Sequence, residues 1–209
     1  MKSLITYTVC LLILWSCYVE DQNTFVSDPF DPRVPQYTEE GANTAGAYIN
    51  NEPWVCRKRT LSSIFSPTPA TVGVMTLYHS TEPQGTFIAF EQGDILDEPS
   101  DQSCSIGFFL SGVDLNGPNG IFQLDNKRIE LDGVENFGQL VLKNDFDEIN
   151  TENTGQGILY IRRIDRFGAN HLFMTGTFGF SVTSQDNQET TVFSGRFDYE
   201  VFPEQFQEF

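Results

Sequence analysis

Between Leu172 and Val201 the chain runs twice through a strict alternation of apolar and polar residues, and nothing else in the sequence narrows the fold as much. In the first run Leu172, Met174, Gly176, Phe178, Phe180 and Val182 alternate with Phe173, Thr175, Thr177, Gly179 and Ser181. A polar connection, Ser184 to Glu189, follows. In the second run Thr191, Phe193, Gly195, Phe197, Tyr199 and Val201 alternate with Thr190, Val192, Ser194, Arg196, Asp198 and Glu200. Side chains on a strand point to opposite faces with period two, so each run predicts a half-buried strand. Two such strands joined by a short polar loop predict an antiparallel hairpin, with the odd-numbered residues of the second run facing the core.

Upstream, shorter apolar stretches predict further strands. They lie at Gly46–Asn50, Trp54–Arg59, Thr71–His79, Thr86–Glu91, Cys104–Leu110, Gly120–Leu124, Lys127–Leu131, Gln139–Lys143 and Gln156–Asp165. Clusters of Gly, Pro, Asn and Asp punctuate them, as at Asn116-Gly117-Pro118-Asn119-Gly120 and Asp132-Gly133. The 19 phenylalanines suit a pleated core. No window holds a 3.6-residue period with caps, so no long helix is expected. The reading is a single all-β domain over residues 41–209, an antiparallel sandwich or barrel.

The N-terminal region is of another kind. Lys2 precedes an almost wholly apolar run, Leu4 to Ser16, too short to span a bilayer comfortably. A basic start followed by a short apolar stretch has the form of a secretory signal, here residues 1–16. Leu14-Trp15-Ser16-Cys17 resembles a bacterial lipobox, which makes Cys17 the expected lipidation site and membrane lipid the expected partner. Residues 17–40, with Pro29, Pro32 and Pro35, read as a flexible tether. Glu20-Asp21 resembles an export signal for the outer membrane, so the expected location is that membrane, on its periplasmic or its cell-surface side.

The chain has 29 acidic against 12 basic residues and a net charge of −17. That balance argues against nucleic acid, because phosphate contacts need clustered Lys and Arg. Cys10 falls in the signal and Cys17 at the lipid site, leaving Cys56 and Cys104 in the domain. These two either form a disulfide, as an oxidising envelope allows, or stay as buried core thiols. The two histidines, His79 and His171, belong to no motif that pairs a nucleophile with a base, and their spacing with the cysteines suits no zinc site. No cofactor is expected. Asp114, Asn116 and Asn119 alternate somewhat as in a calcium loop, but the closing bidentate Glu is missing, and Asx–Gly turns account for the same residues. Trp54 adjoins an alternating apolar stretch and reads as core rather than as a platform for sugars.

Two segments carry a family resemblance. Gly41-Ala42-Asn43-Thr44-Ala45-Gly46, followed by Asn50-Asn51 and Trp54, resembles the start of a family of Bacteroidota outer-membrane lipoproteins of unknown role. Gly176-Thr177-Phe178-Gly179-Phe180 and Gly195-Arg196-Phe197-Asp198 resemble that family's closing hairpin. The resemblance implies a β-sandwich or barrel-like domain on a lipid anchor and supplies no catalytic residues. In the motif itself, Gly41 and Gly46 allow a tight backbone, Asn43 and Thr44 bond nearby backbone groups, and Trp54 seals the core. Function is therefore expected to be non-enzymatic, through binding an unidentified protein or glycan or through a structural role. A glycan-processing accessory protein and a small apolar-ligand carrier are the alternatives.

Overall fold

The computed structural model describes residues 27–61, 70–81, 83–95, 103–115, 120–143, 149–167, 171–184, 187–201 and 206–208. Residues 1–26, with the signal and Cys17, lie outside them. The strands are β1 (Thr44–Ile49), β2 (Glu52–Arg57), β3 (Arg59–Leu61), β4 (Ala70–Val72), β5 (Met75–Thr81), β6 (Gln84–Ile95) and β7 (Ser103–Ser111). They continue with β8 (Lys127–Asp132), β9 (Asn136–Lys143), β10 (Ile149–Phe167), β11 (His171–Thr183), β12 (Glu189–Val201) and β13 (Phe206–Glu208). There is no α-helix among the described residues, and the domain is all-β as expected.

The pairings close on themselves. From β1 they pass through β12, β11, β10, β9, β7 and β6 to β2, and β2 pairs back to β1, every step antiparallel. This barrel-like ring has two long strands that each serve two neighbours along one edge. β6 pairs β5 over its first half and β2 near its end, while β10 pairs β9 and then β8. β13 adds to β5 in parallel, and β3–β4 form a ladder of their own.

The interior is filled with rings. Phe90 lies 5.1 Å from Phe197, 5.7 Å from Tyr199 and 6.0 Å from Phe178, and Phe108 lies 5.2 Å from Phe178. Burying each such side chain contributes about 1.5–3 kcal/mol, and each favourable ring pair roughly another 0.5–1.5.

The ring is narrowest in pairing where β2 meets β6, at Trp54–Ile95 and Val55–Asp94. Trp54 is fully buried there, and its indole N–H donates to the Cys104 carbonyl at 3.0 Å, reaching across β6 to β7. The ring passes over Gly93, where a Cβ would lie 2.2 Å from the indole nitrogen. Cys104 pairs with Gly93, and continuing the β2–β6 register sets Cys56 opposite the same glycine. The two cysteines thus flank an intervening strand, about 10 Å apart at Cα, beyond the roughly 7 Å a disulfide can bridge. Both are buried thiols that are not joined by a disulfide.

Four details depart from the sequence reading. Gly120–Leu124 is a 3₁₀ turn, not a strand: Gly120 has φ +48°, and Ile121 and Leu124, three apart, face the core together as that geometry requires. The stretch read as one strand over Thr71–His79 is broken at Gly73. The hairpin's second strand changes phase. Val192 is buried and Phe193 exposed, because Ser194, at φ +52°, forms a bulge that restores the inward series only from Gly195. Residues 27–40, assigned by composition to a tether, lie packed along the outside of the ring. Val34 is fully buried, and Pro35 sits where a Cβ on Gly46 would come within 2.2 Å of it.

The Trp54–Gly93 contact makes a direct prediction. Gly93→Ala drives a methyl into a packed indole and lowers stability by about 1–3 kcal/mol, the usual cost of overpacking, read as a lower denaturation midpoint. A midpoint equal to that of the unsubstituted chain would refute the packing described. Separately, alkylation of the unfolded chain without reductant should label both Cys56 and Cys104; protection of both would mean they are bridged.

Candidate functional site

The packed N-terminal segment makes the outer face of β10–β12 into a site. Asp198, pointing out from β12, is only 2% exposed. Its carboxylate accepts from the Thr38 hydroxyl, from the Glu40 N–H at 3.0 Å and from the Gly41 N–H at 2.8 Å. One turn of chain is thereby fastened to the sheet. Asn43 reinforces it: at φ +54° its side chain accepts the Glu200 N–H at 3.1 Å and donates to the Gly41 carbonyl at 3.2 Å. The first half of the Gly-x-Asn-Thr-x-Gly motif is therefore a latch between the incoming chain and β12. Gly46 supplies the flat surface on which Pro35 rests.

Further out, Asp28 pairs with Arg196, Asp31 accepts from the Tyr48 hydroxyl, and the Arg33 guanidinium lies over the Tyr48 ring at 5.3 Å. Tyr48 in turn stacks on Phe193 at 5.3 Å. Tyr37 contacts Thr175 on β11, and Glu39 receives Arg162 from β10 at 2.6 Å.

On the outer face of β10–β12 lies an open cleft of about 590 Å³ lined by Tyr37 of this segment and by Ile158, Thr177, Phe178, Gly179, Ser194, Gly195 and Arg196 of the strands. Its shape follows from register. Ile158 stands opposite Gly179, and Thr177 opposite Arg196. The bulge at Ser194 turns that hydroxyl residue into the lining, and Tyr37 closes one end. Arg196 is the only charged side chain of the lining; its Nε is buried and has no partner among the described residues. The cleft thus offers an aromatic ring, an aliphatic side chain, two hydroxyls and a guanidinium. These groups can hydrogen-bond and pack, and the lining does not include a nucleophile with a base.

The residues singled out from sequence fall elsewhere. Cys56 and Cys104 are inside the ring, and burial, then the neighbouring Cys56, push the Cys104 thiol far above its ordinary range, so it stays protonated. The Tyr199 hydroxyl, raised likewise by burial, lies 3.0 Å from the Cys56 carbonyl and 3.1 Å from that of Gly73. His79 is partly buried on β5, away from the cleft, and the side chain of His171 lies outside the described residues. Of the calcium candidates, Asp114 uses its carbonyl to accept from Gln123 at 2.8 Å, while Asn116 and Asn119 lie outside the described residues. No three His, Cys, Asp or Glu side chains among the described residues converge to hold a metal. Trp54 belongs to the core, as its surroundings in the sequence suggested.

Comparison with protein-family models, with curated proteins and with solved structures gave no match to this chain.

The Asp28 carboxyl is held below the usual aspartate value chiefly by the Phe30 backbone N–H; burial opposes this, and Arg196 and the Asp31 N–H add to the lowering. Its charged form is favoured in the docked state. The contribution is therefore complete above the ordinary aspartate value near 4 and is lost as pH falls through Asp28's own lower value. An NMR titration should give Asp28 a midpoint below that of a free aspartate, and Asp28→Asn should loosen residues 28–33 at neutral pH. An ordinary midpoint would remove the ion pair from the account.

Proposed function

We propose that this chain is an exported lipoprotein, acylated on Cys17, whose barrel-like domain serves at the outer membrane as a non-enzymatic binding module. The lipobox-like Leu14-Trp15-Ser16-Cys17 supports the anchor. The observation that carries the binding role is the chemistry of the outer cleft, where groups that hydrogen-bond and groups that pack are gathered without a nucleophile–base pair. A binding cleft outside a filled barrel also fits this role better than carriage of an apolar ligand. A carrier needs room inside, and here Phe90, Phe108, Phe178 and Phe197 occupy the interior at ring-contact distances.

The packing of residues 28–40 shortens the free part of the tether. If Cys17 is anchored, nine residues separate it from Ser27, so Ser27 lies at most about 35 Å of extended chain from the lipid. Cells grown with labelled palmitate should incorporate the label into the wild-type protein and not into Cys17→Ala, which should accumulate unprocessed. Label that persists in the variant, or that never appears, would overturn the anchor. Protease treatment of intact cells then decides the side of the membrane: digestion places the domain on the cell surface, and protection places it in the periplasm.

A further inference from the structure

Gly179 is the least expected residue of the cleft. A glycine inside a strand costs about 0.5–1 kcal/mol relative to alanine, so a packed sheet keeps one where something must approach closely. The glycines facing the interior meet that condition: a Cβ on Gly195 would lie 2.3 Å from the Phe178 ring, and one on Gly176 would lie 2.6 Å from the Phe197 ring. Gly179 faces outward and does not meet it. A Cβ there would have only the Val192 carbonyl at 3.4 Å and the Phe193 Cα at 3.8 Å, both ordinary contacts, and its backbone is in no left-handed conformation. The fold makes no demand for a bare backbone at this position. The cleft does, because Gly179 is its floor, between Ile158 on one strand and the Ser194 bulge on the other.

The chemistry of the lining is of two kinds. Ile158, more than a third exposed and opposite Gly179, presents apolar surface beside the bare backbone, and Tyr37 adds a ring. Thr177, Ser194 and Arg196 present donors and acceptors. A sugar ring has the same division, with an apolar C–H face and a rim of hydroxyls. The volume falls within the range of small-ligand sites. Charge narrows the class further. Arg196, the one cation in the lining, is already matched by Asp28, and the chain as a whole is strongly acidic, so a second carboxylate or a phosphate would enter against the field.

We propose that the cleft over Gly179 binds a sugar unit of a neutral glycan, its C–H face on Gly179 and Ile158 and its hydroxyls toward Thr177, Ser194 and Arg196. This deepens the reading of the domain as a binding module and does not depend on the lipid anchor.

The test is binding of the full chain, purified from whole-cell lysate in detergent, to an array of neutral oligosaccharides (glucan, xylan, mannan and galactan fragments) beside acidic ones (polygalacturonate and heparin fragments). Two variants accompany it. Gly179→Val fills the floor with a strand-compatible side chain. Thr177→Val keeps the shape of an exposed residue and removes its hydroxyl. Both should melt as the unsubstituted chain does. Binding to at least one neutral glycan, weakened roughly tenfold by Thr177→Val and abolished by Gly179→Val, is the expected result. Binding confined to acidic glycans, binding that survives Gly179→Val, or no binding to any member of the array would each overturn the proposal. None of those outcomes bears on acylation of Cys17, which the palmitate experiment reads separately.

Discussion

One buried carboxylate holds together what is distinctive about this domain. Asp198 projects from the outer face of β12, where a charged residue would ordinarily be solvated, yet it is covered by residues 38–41 and satisfied by the hydroxyl and two backbone N–H groups they bring. An ion removed from water is tolerable only when its acceptor capacity is met. The fold therefore requires the incoming chain to lie where it does. Once fastened there, that chain sets Pro35 on Gly46, Asp28 on Arg196 and Tyr37 at the end of the cleft. Without it, the cleft on the outer face of β10–β12 would lack Tyr37.

The inside of the ring follows a different logic. Aromatic rings fill it, and the seam between β2 and β6 is carried less by backbone pairing than by Trp54 reaching over Gly93 to β7. Interior packing and exterior latch share few residues. β12 connects the two layers: its inward residues Phe197 and Tyr199 join the core, and its outward residues Ser194, Arg196 and Asp198 build the cleft and the latch.

Much of the fold was legible because period two is a strong signal wherever one face is buried. The hairpin of β11 and β12, most of the shorter strands, the absence of long helices and the core position of Trp54 all followed from it. What was not legible depended on single residues that break the period or on contacts distant in sequence. A serine in a left-handed conformation at position 194 inverts the face of Val192 and Phe193, and no local pattern announces it. Ile121 and Leu124 satisfy the core at a spacing of three, which a short apolar window cannot distinguish from a strand. Residues 27–40 have the composition of a tether because their order comes from partners some 160 residues away, such as Asp198 and Arg196. The cleft was illegible for the same reason. Tyr37, Ile158, Thr177 and Arg196 form no motif, and the one local hint was an outward-facing glycine in the middle of an alternating strand.

The central claim is that residues 28–40 belong to the folded domain and bring Tyr37 to the cleft on its outer face. Hydrogen–deuterium exchange on the full chain tests it most directly at the two amides that donate to Asp198. The account predicts that Glu40 and Gly41 exchange slowly, on the timescale of the neighbouring β12 amides, and that both become fast in Asp198→Ala while β11 stays protected. Exchange of Glu40 and Gly41 at free-chain rates in the unsubstituted protein would contradict it.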